Sequence, residues 1–328
     1  MHNMRRVVIV VLLASAALYA QPSPALKQIA TIPLGSVTGR IDHLAYDPTR
    51  QHLFVAALGN DTVEVIDTAK AALLRSLTGF HKPQGIAYVP DANAVAVANG
   101  DTGTLELLDA ETLQKRWTVK VADDADNVRY DVAAKRIYVA AVGGLFAFDP
   151  TNGNSLDRIA IDGHPESFQL ETSGTRVYAN LPGLLSSQIV GGDRRTMATD
   201  ARSAPGCGGN YPMALDEGTS RLFVGCRRPA ELAVVDVHTG KPVASVDIVG
   251  DTDDLFYDAD RRRVYVIGGD GFVDVFERQG DVLRRIDRVA TRPGARTGLW
   301  VPAISRLFVA VPARGGEQAE IRVLAPNS

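Results

Sequence analysis

Short runs of Val, Ile, Leu, Phe and Tyr recur along this chain, each closed off by Asp, Gly, Pro or Asn. Runs that are β-branched and aromatic, and bounded by turn formers, predict strands. Several are apolar at consecutive positions, as in LFVAA from Leu53 and VYVI from Val264. That is the pattern of strands covered on both faces by neighbouring sheets. Past the apolar N-terminal segment, no long stretch carries helical periodicity.

The strands repeat as a unit. A stretch of the form aromatic or Leu, six variable residues, apolar, aromatic, Val starts at Tyr46, Tyr88, Tyr130, Leu170, Leu215, Tyr257 and Trp300. The copies run YDPTRQHLFVA, YVPDANAVAVA, YDVAAKRIYVA, LETSGTRVYAN, LDEGTSRLFVG, YDADRRRVYVI and WVPAISRLFVA, with starts 42, 42, 40, 45, 42 and 43 residues apart. A second piece follows most copies: VEVIDT from Val63, LELLDA from Leu105, LFAFDP from Leu145, LAVVDV from Leu232, VDVFER from Val273 and IRVLAP from Ile321. About four strands in a period of roughly 40–45 residues mark a β-propeller. The fold class is therefore all-β, a seven-bladed β-propeller. The last copy stops after its third strand, and LKQIATIPL from Leu26 resembles the fourth strands elsewhere, such as PVASVDI from Pro242. The N-terminal strand is expected to complete the last blade and close the ring, removing exposed edges. The stretch from Asn180 to Asp200 lacks a clean third strand with a closing aspartate, which predicts an irregular fourth blade.

The recurrent pattern of YD, LFVA and VEVIDT resembles the YVTN-repeat, YncE-like family of bacterial β-propellers, over essentially the whole chain past its leader. The Tyr-Val-Thr-Asn tetrad survives best as Val97-Ala98-Asn99 and Tyr178-Ala179-Asn180. The resemblance implies a propeller outside the cytoplasm and supplies no single shared reaction.

The N-terminus adds a location. Arg5 and Arg6 precede an apolar run from Val7 to Leu18 and then small residues, as in a secretory signal peptide. The run is short of the ~20 residues a spanning helix needs. Residues 1–20 are read as the signal peptide, with cleavage after Ala17 or Ala20, and 21–328 as one propeller domain, periplasmic or secreted. In an oxidising compartment the two cysteines, Cys207 and Cys226, are expected to form a disulfide. Pairing of the first two strands of blade five brings both to one mouth of the channel.

Composition narrows the partners. Against 38 Asp and Glu stand 35 Lys and Arg, with 6% aromatic residues. A net charge of −3 argues against nucleic acid, which favours basic grooves with stacking aromatics. A monomer is the simplest expectation.

Candidate chemistry lies in the loops that lead into the innermost strands. Four residues before each repeat start stand Asp42, Gln84, Asp126, Glu166, Tyr211, Asp253 and Arg296. Seven side chains from seven blades in one register are expected to ring one mouth of the channel, the candidate binding site for a small molecule or a protein. A water-filled channel also accommodates polar residues, and aspartates cap turns. Arg40, His43, Asn127, His164, Asp251, Asp254 and Arg227 form the expected rim, with Asp251 and Asp254 read as turn or rim residues.

Acids outnumber bases in these loops. Crowded carboxylates share protons or a cation, and Ca²⁺ suits oxygen ligands from several blades. Asp42, Asp126, Glu166 and Asp253 are the candidate metal ligands. DTDDLFYDADRR from Asp251 is no EF-hand loop, because its sixth residue is Phe256 and its twelfth is Arg262. His43, His81 and His164 occupy different registers, which favours ordinary loop histidines. The G-x-S-x-G, H-E-x-x-H, Walker A and C-x-x-C-H motifs are all missing. Two functions remain open: an exported binding or interaction scaffold, and a metal-assisted, lactonase-like hydrolase at the same mouth. DNA binding ranks third.

Overall fold

The computed structural model describes residues 24–183 and 187–327. The leader expected over residues 1–20 lies outside them. Among the described residues, twenty-eight strands, numbered β1 to β28 in chain order, form seven four-stranded antiparallel sheets. In the first blade, β2 (Leu44–Asp47), β3 (His52–Ala57), β4 (Thr62–Asp67) and β5 (Ala72–Thr78) run outward in sequence order. Five further blades repeat that order. The seventh takes β26 (Thr297–Val301), β27 (Arg306–Val311) and β28 (Glu320–Pro326) from the C-terminus. Its fourth strand is β1 (Leu26–Pro33), with Leu26 opposite Pro326 and Pro33 opposite Glu320. The ring therefore closes as the repeat predicts, and neither β1 nor β28 leaves the other's edge open.

The recurring aspartates have a local cause. Asp47 Oδ1 accepts from the N–H groups of Thr49 at 2.8 Å and Arg50 at 3.3 Å. Asp131 does the same for Ala133 and Ala134, and Asp236, at the end of a third strand, for His238 and Thr239. Each carboxylate satisfies the orphaned donors of a tight turn and fixes where a hairpin reverses.

The consecutive apolar runs are buried on both faces, as in β4, where every residue is buried. Outer strands such as β9 (Lys115–Lys120) alternate toward solvent. Seven hydrophobic clusters lie one between each pair of adjacent blades. Phe54 packs with Val97 between blades one and two, and Phe223 with Val264 between five and six. Apolar burial thus drives blade-to-blade association around the ring.

Blade four has the shortest inner strand of the seven, β14 (Phe168–Leu170), but keeps a third strand. Its third strand, β16 (Gln188–Asp193), pairs with both neighbours, and Asp193 is its closing aspartate, capping Arg195 and Thr196. Gly191 and Gly192 hide the apolar signature, and the ladder to β17 (Ala198–Ser203) shifts register between them. In blade five, Cys207 and Cys226 are joined by a disulfide with Cα atoms 6.0 Å apart. Among the described residues no helix is long and apolar enough to cross a membrane.

Candidate functional site

The seven side chains expected to form the ring line one cavity of about 260 Å³ at a mouth of the channel. Backbone geometry explains the shared register. In blades one, three and four, the N–H groups of Asp42, Asp126 and Glu166 donate to the carbonyls of Ala56, Ala140 and Asn180 at 2.8, 2.8 and 2.9 Å. In blades two, five and six, the ladder shifts between Pro83 and Ile86, Asn210 and Met213, and Thr252 and Asp254. Gln84, Tyr211 and Asp253 sit within those irregularities, which free a side chain from the regular alternation and re-aim it.

Arg40, His43, His164 and Arg227 line the same cavity, together with Asp124. Asp251 stands at the rim in a left-handed conformation (φ 56°), bonded to Arg296 Nη1 at 3.0 Å. Two expected rim residues lie elsewhere. Asn127 is buried, its Nδ2 facing Asp126 Oδ1 at 3.5 Å. Asp254 is also buried; its Oδ2 accepts from the Gly298 N–H at 2.9 Å and its Oδ1 lies 3.4 Å from His43 Nδ1. The shift at Thr252 turns two consecutive aspartates inward, Asp253 at the mouth and Asp254 deeper, which strict alternation does not allow.

Cations offset the expected excess of acid. Arg227 donates through Nη2 to Asp253 Oδ1 at 2.5 Å and through Nε to the Thr252 carbonyl at 2.9 Å, with its guanidinium 3.8 Å from the centre of the Tyr211 ring. Arg40 approaches Asp42 at 3.5 Å and Asp253 at 3.9 Å. His164 lies 3.5 Å from Glu166, and its Nε2 is 3.0 Å from the Asp124 carbonyl. Gln84 donates to Asp124 at 3.0 Å.

Titration follows from burial and crowding. Burial favours neutral His43, yet the charges of Asp254, Asp42 and Asp126 outweigh it and raise its pKa to about 10. His164 is raised to about 9 against its own burial, chiefly by Glu166. Burial pushes Asp253 up to about 7 despite Arg227. Asp126 is raised well above the carboxylate range by burial and by the charges of Glu166 and Asp42, and Asp42 is raised by burial. Neither Asp42 nor Asp126 has a protein donor closer than 3.5 Å among the described residues. No group of three His, Cys, Asp or Glu among the described residues is arranged to hold a metal ion.

The loops revealed one mouth only. Three residues further along each blade, Ala45, Ala87, Arg129, Gln169, Ala214, Phe256 and Leu299 form a second tier, lining a chamber of about 570 Å³ that opens toward the opposite face. His43 borders both spaces. These positions stand one residue before each repeat start, where Arg129 and Gln169 are the polar exceptions among Ala, Phe and Leu.

Seven four-stranded blades around a channel, with polar side chains converging at one mouth, define a seven-bladed β-propeller. No family model matches the chain, and no curated protein matches it. Among solved structures, a chain in a crystal structure of the Mitotic Checkpoint Complex superposes with a TM-score of 0.76 at 12% identity, covering 98% of each chain. Hydrazine synthase from Kuenenia stuttgartiensis gives 0.76 at 14% identity, covering 87% of this chain and 96% of that one. At such identities the likeness is one of fold alone.

Proposed function

We propose that this protein is an exported, YVTN-repeat-type binding propeller whose channel mouth recognises a small, donor-rich ligand carrying an ammonium group. The observation that carries this reading is the pair of buried carboxylates, Asp42 and Asp126, facing one cavity without a close protein donor. Buried acceptors of that kind are costly unless something donates to them. Glu166 adds to the negative field at Asp126, so an ammonium group would relieve both the repulsion and the missing bonds. Arg227 holds Asp253 and Arg296 holds Asp251 through Nη1, so two of the arginines of the mouth already have acids as partners. Asp42 and Asp126 are the acids of the mouth left for a ligand's donors. Export is supported by the leader pattern and fits the disulfide.

Thermal melting at low salt tests this reading, with 1,4-diaminobutane, 1,4-butanediol and CaCl₂ as probes. Millimolar diamine is expected to raise Tm by about 2 °C or more, an effect the neutral diol lacks. The shift is expected to vanish in Asp126→Asn and Glu166→Gln variants. A shift by CaCl₂ alone would move the mouth to the metal-dependent hydrolase reading. No shift with diamine or CaCl₂ would end both.

A further inference from the structure

The chamber on the far side of the channel is built differently from the mouth. Its walls mix aromatic and aliphatic side chains, among them Tyr46, Tyr88, Phe256, Leu299 and Trp300, with the polar His43, Arg129, Ser167, Gln169 and Asp254. Its volume, about 570 Å³, falls within the ~300–1,000 Å³ of small-molecule sites, whose linings are mostly apolar with a few placed polar groups. Val132, at its rim, is 62% exposed, so apolar surface continues to the opening.

One charged side chain in this lining lacks a counter-ion. Arg129 donates from Nη1 to its neighbour's carbonyl, Val128 O, at 2.9 Å and lies 5.6 Å from the centre of the Phe168 ring. No carboxylate among the described residues comes within 4.0 Å of its guanidinium. The acids that face it, Asp254 and Asp126, are both turned to His43, at 3.4 and 3.9 Å. Burial depresses the pKa of Arg129, yet a guanidinium stays charged at neutral pH. With Asp254 and Asp126 both turned to His43, no carboxylate pairs directly with Arg129 at the inner end of the chamber.

We infer that this chamber is a second binding site, for an organic monocarboxylate with an apolar body. The carboxylate takes the bidentate fork of Arg129, and the hydrocarbon or aromatic body lies against the tyrosine, phenylalanine and leucine walls. A dianion fits poorly, since one guanidinium offers one compensating charge. This site is independent of the ligand chemistry at the mouth.

Calorimetric titration at pH 7 with benzoate and hexanoate, against benzyl alcohol and hexanol, tests the assignment. The carboxylates are expected to bind about ten-fold or more tightly than their alcohols. Arg129→Gln is expected to abolish that preference, and Arg129→Lys to restore part of it. Leu299→Trp, which fills the chamber and leaves Arg129 in place, is expected to block carboxylate and alcohol alike. Its melting curve shows whether the ring remains folded. Carboxylates that bind no better than alcohols to the unaltered protein would overturn the inference, as would a preference that survives Arg129→Gln or binding that survives Leu299→Trp.

Discussion

His43 is the residue on which the interior of the channel turns. Its ring lies between Asp254 at 3.4 Å and Asp126 at 3.9 Å and borders both chambers. A histidine with a folded pKa of about 10, against an ordinary 6.5, stabilises the fold fully below about pH 6.5. That contribution is lost as pH rises toward 10. His164, at about 9, acts in the same direction over a narrower range. Asp253, raised from 3.8 to about 7, holds its proton better in the folded state, so its contribution falls as pH climbs between those values. All three effects share one sign. Tm is expected to be higher near pH 5 than near pH 9, and His43→Gln to flatten the decline above pH 6.5. A Tm that stays level from pH 6 to 9, or a slope unchanged in the variant, would refute this. The sequence placed His43 beside the ring, but its partner Asp254 was read as a rim residue. The pair joins blades one and six, which are not neighbours in the ring, so it is visible only once the ring has closed.

At the scale of elements, backbone irregularity decides chemistry. β22 (Thr252–Asp258) and β23 (Arg263–Gly268) pair with a shift at Thr252, and this frees Asp253 to meet Arg227 from the neighbouring blade. The arginines after Asp258 stay at the hairpin face: Arg261 pairs with Asp258, and Arg263 reaches the Ala25 and Asn327 carbonyls. In blade five the disulfide ties the loop before β18 (Gly208–Asp216) to the end of β19 (Arg221–Arg228), beside Arg227. Closing a loop of 19 residues contributes about 3 kcal/mol by the chain-entropy estimate. The Cys207→Ser, Cys226→Ser double variant is expected to lose about that much stability in denaturant melts. An unchanged midpoint would show that neighbouring sheets already restrain the loop.

At the scale of the whole molecule, the ring depends on joining its two ends. β1 covers β28, and Ile32 and Leu34 enter the cluster shared by the last blade and the first. Removing residues 24–34 would strip the edge of β28 and expose that cluster, inviting edge-to-edge association. The shortened chain is expected to elute as aggregate in size-exclusion chromatography, or to melt well below the full ring. A monomer with an unchanged melt would mean that six complete blades and one partial blade suffice.

The sequence by itself determined the number of blades, the strand that closes the ring, the disulfide and the seven-fold polar register, because each is a local pattern repeated at a near-constant period. Asp47 or Asp131 can cap a turn whatever surrounds the blade, so the signal survives in one dimension. Only the tertiary structure decided which carboxylates are buried without donors, which arginines neutralise them, and that the channel holds a second chamber around Arg129. Those properties depend on distances between blades some forty or more residues apart in the chain. The shifts that turn Asp253 and Asp254 inward arise from pairing between strands, and no residue type announces them.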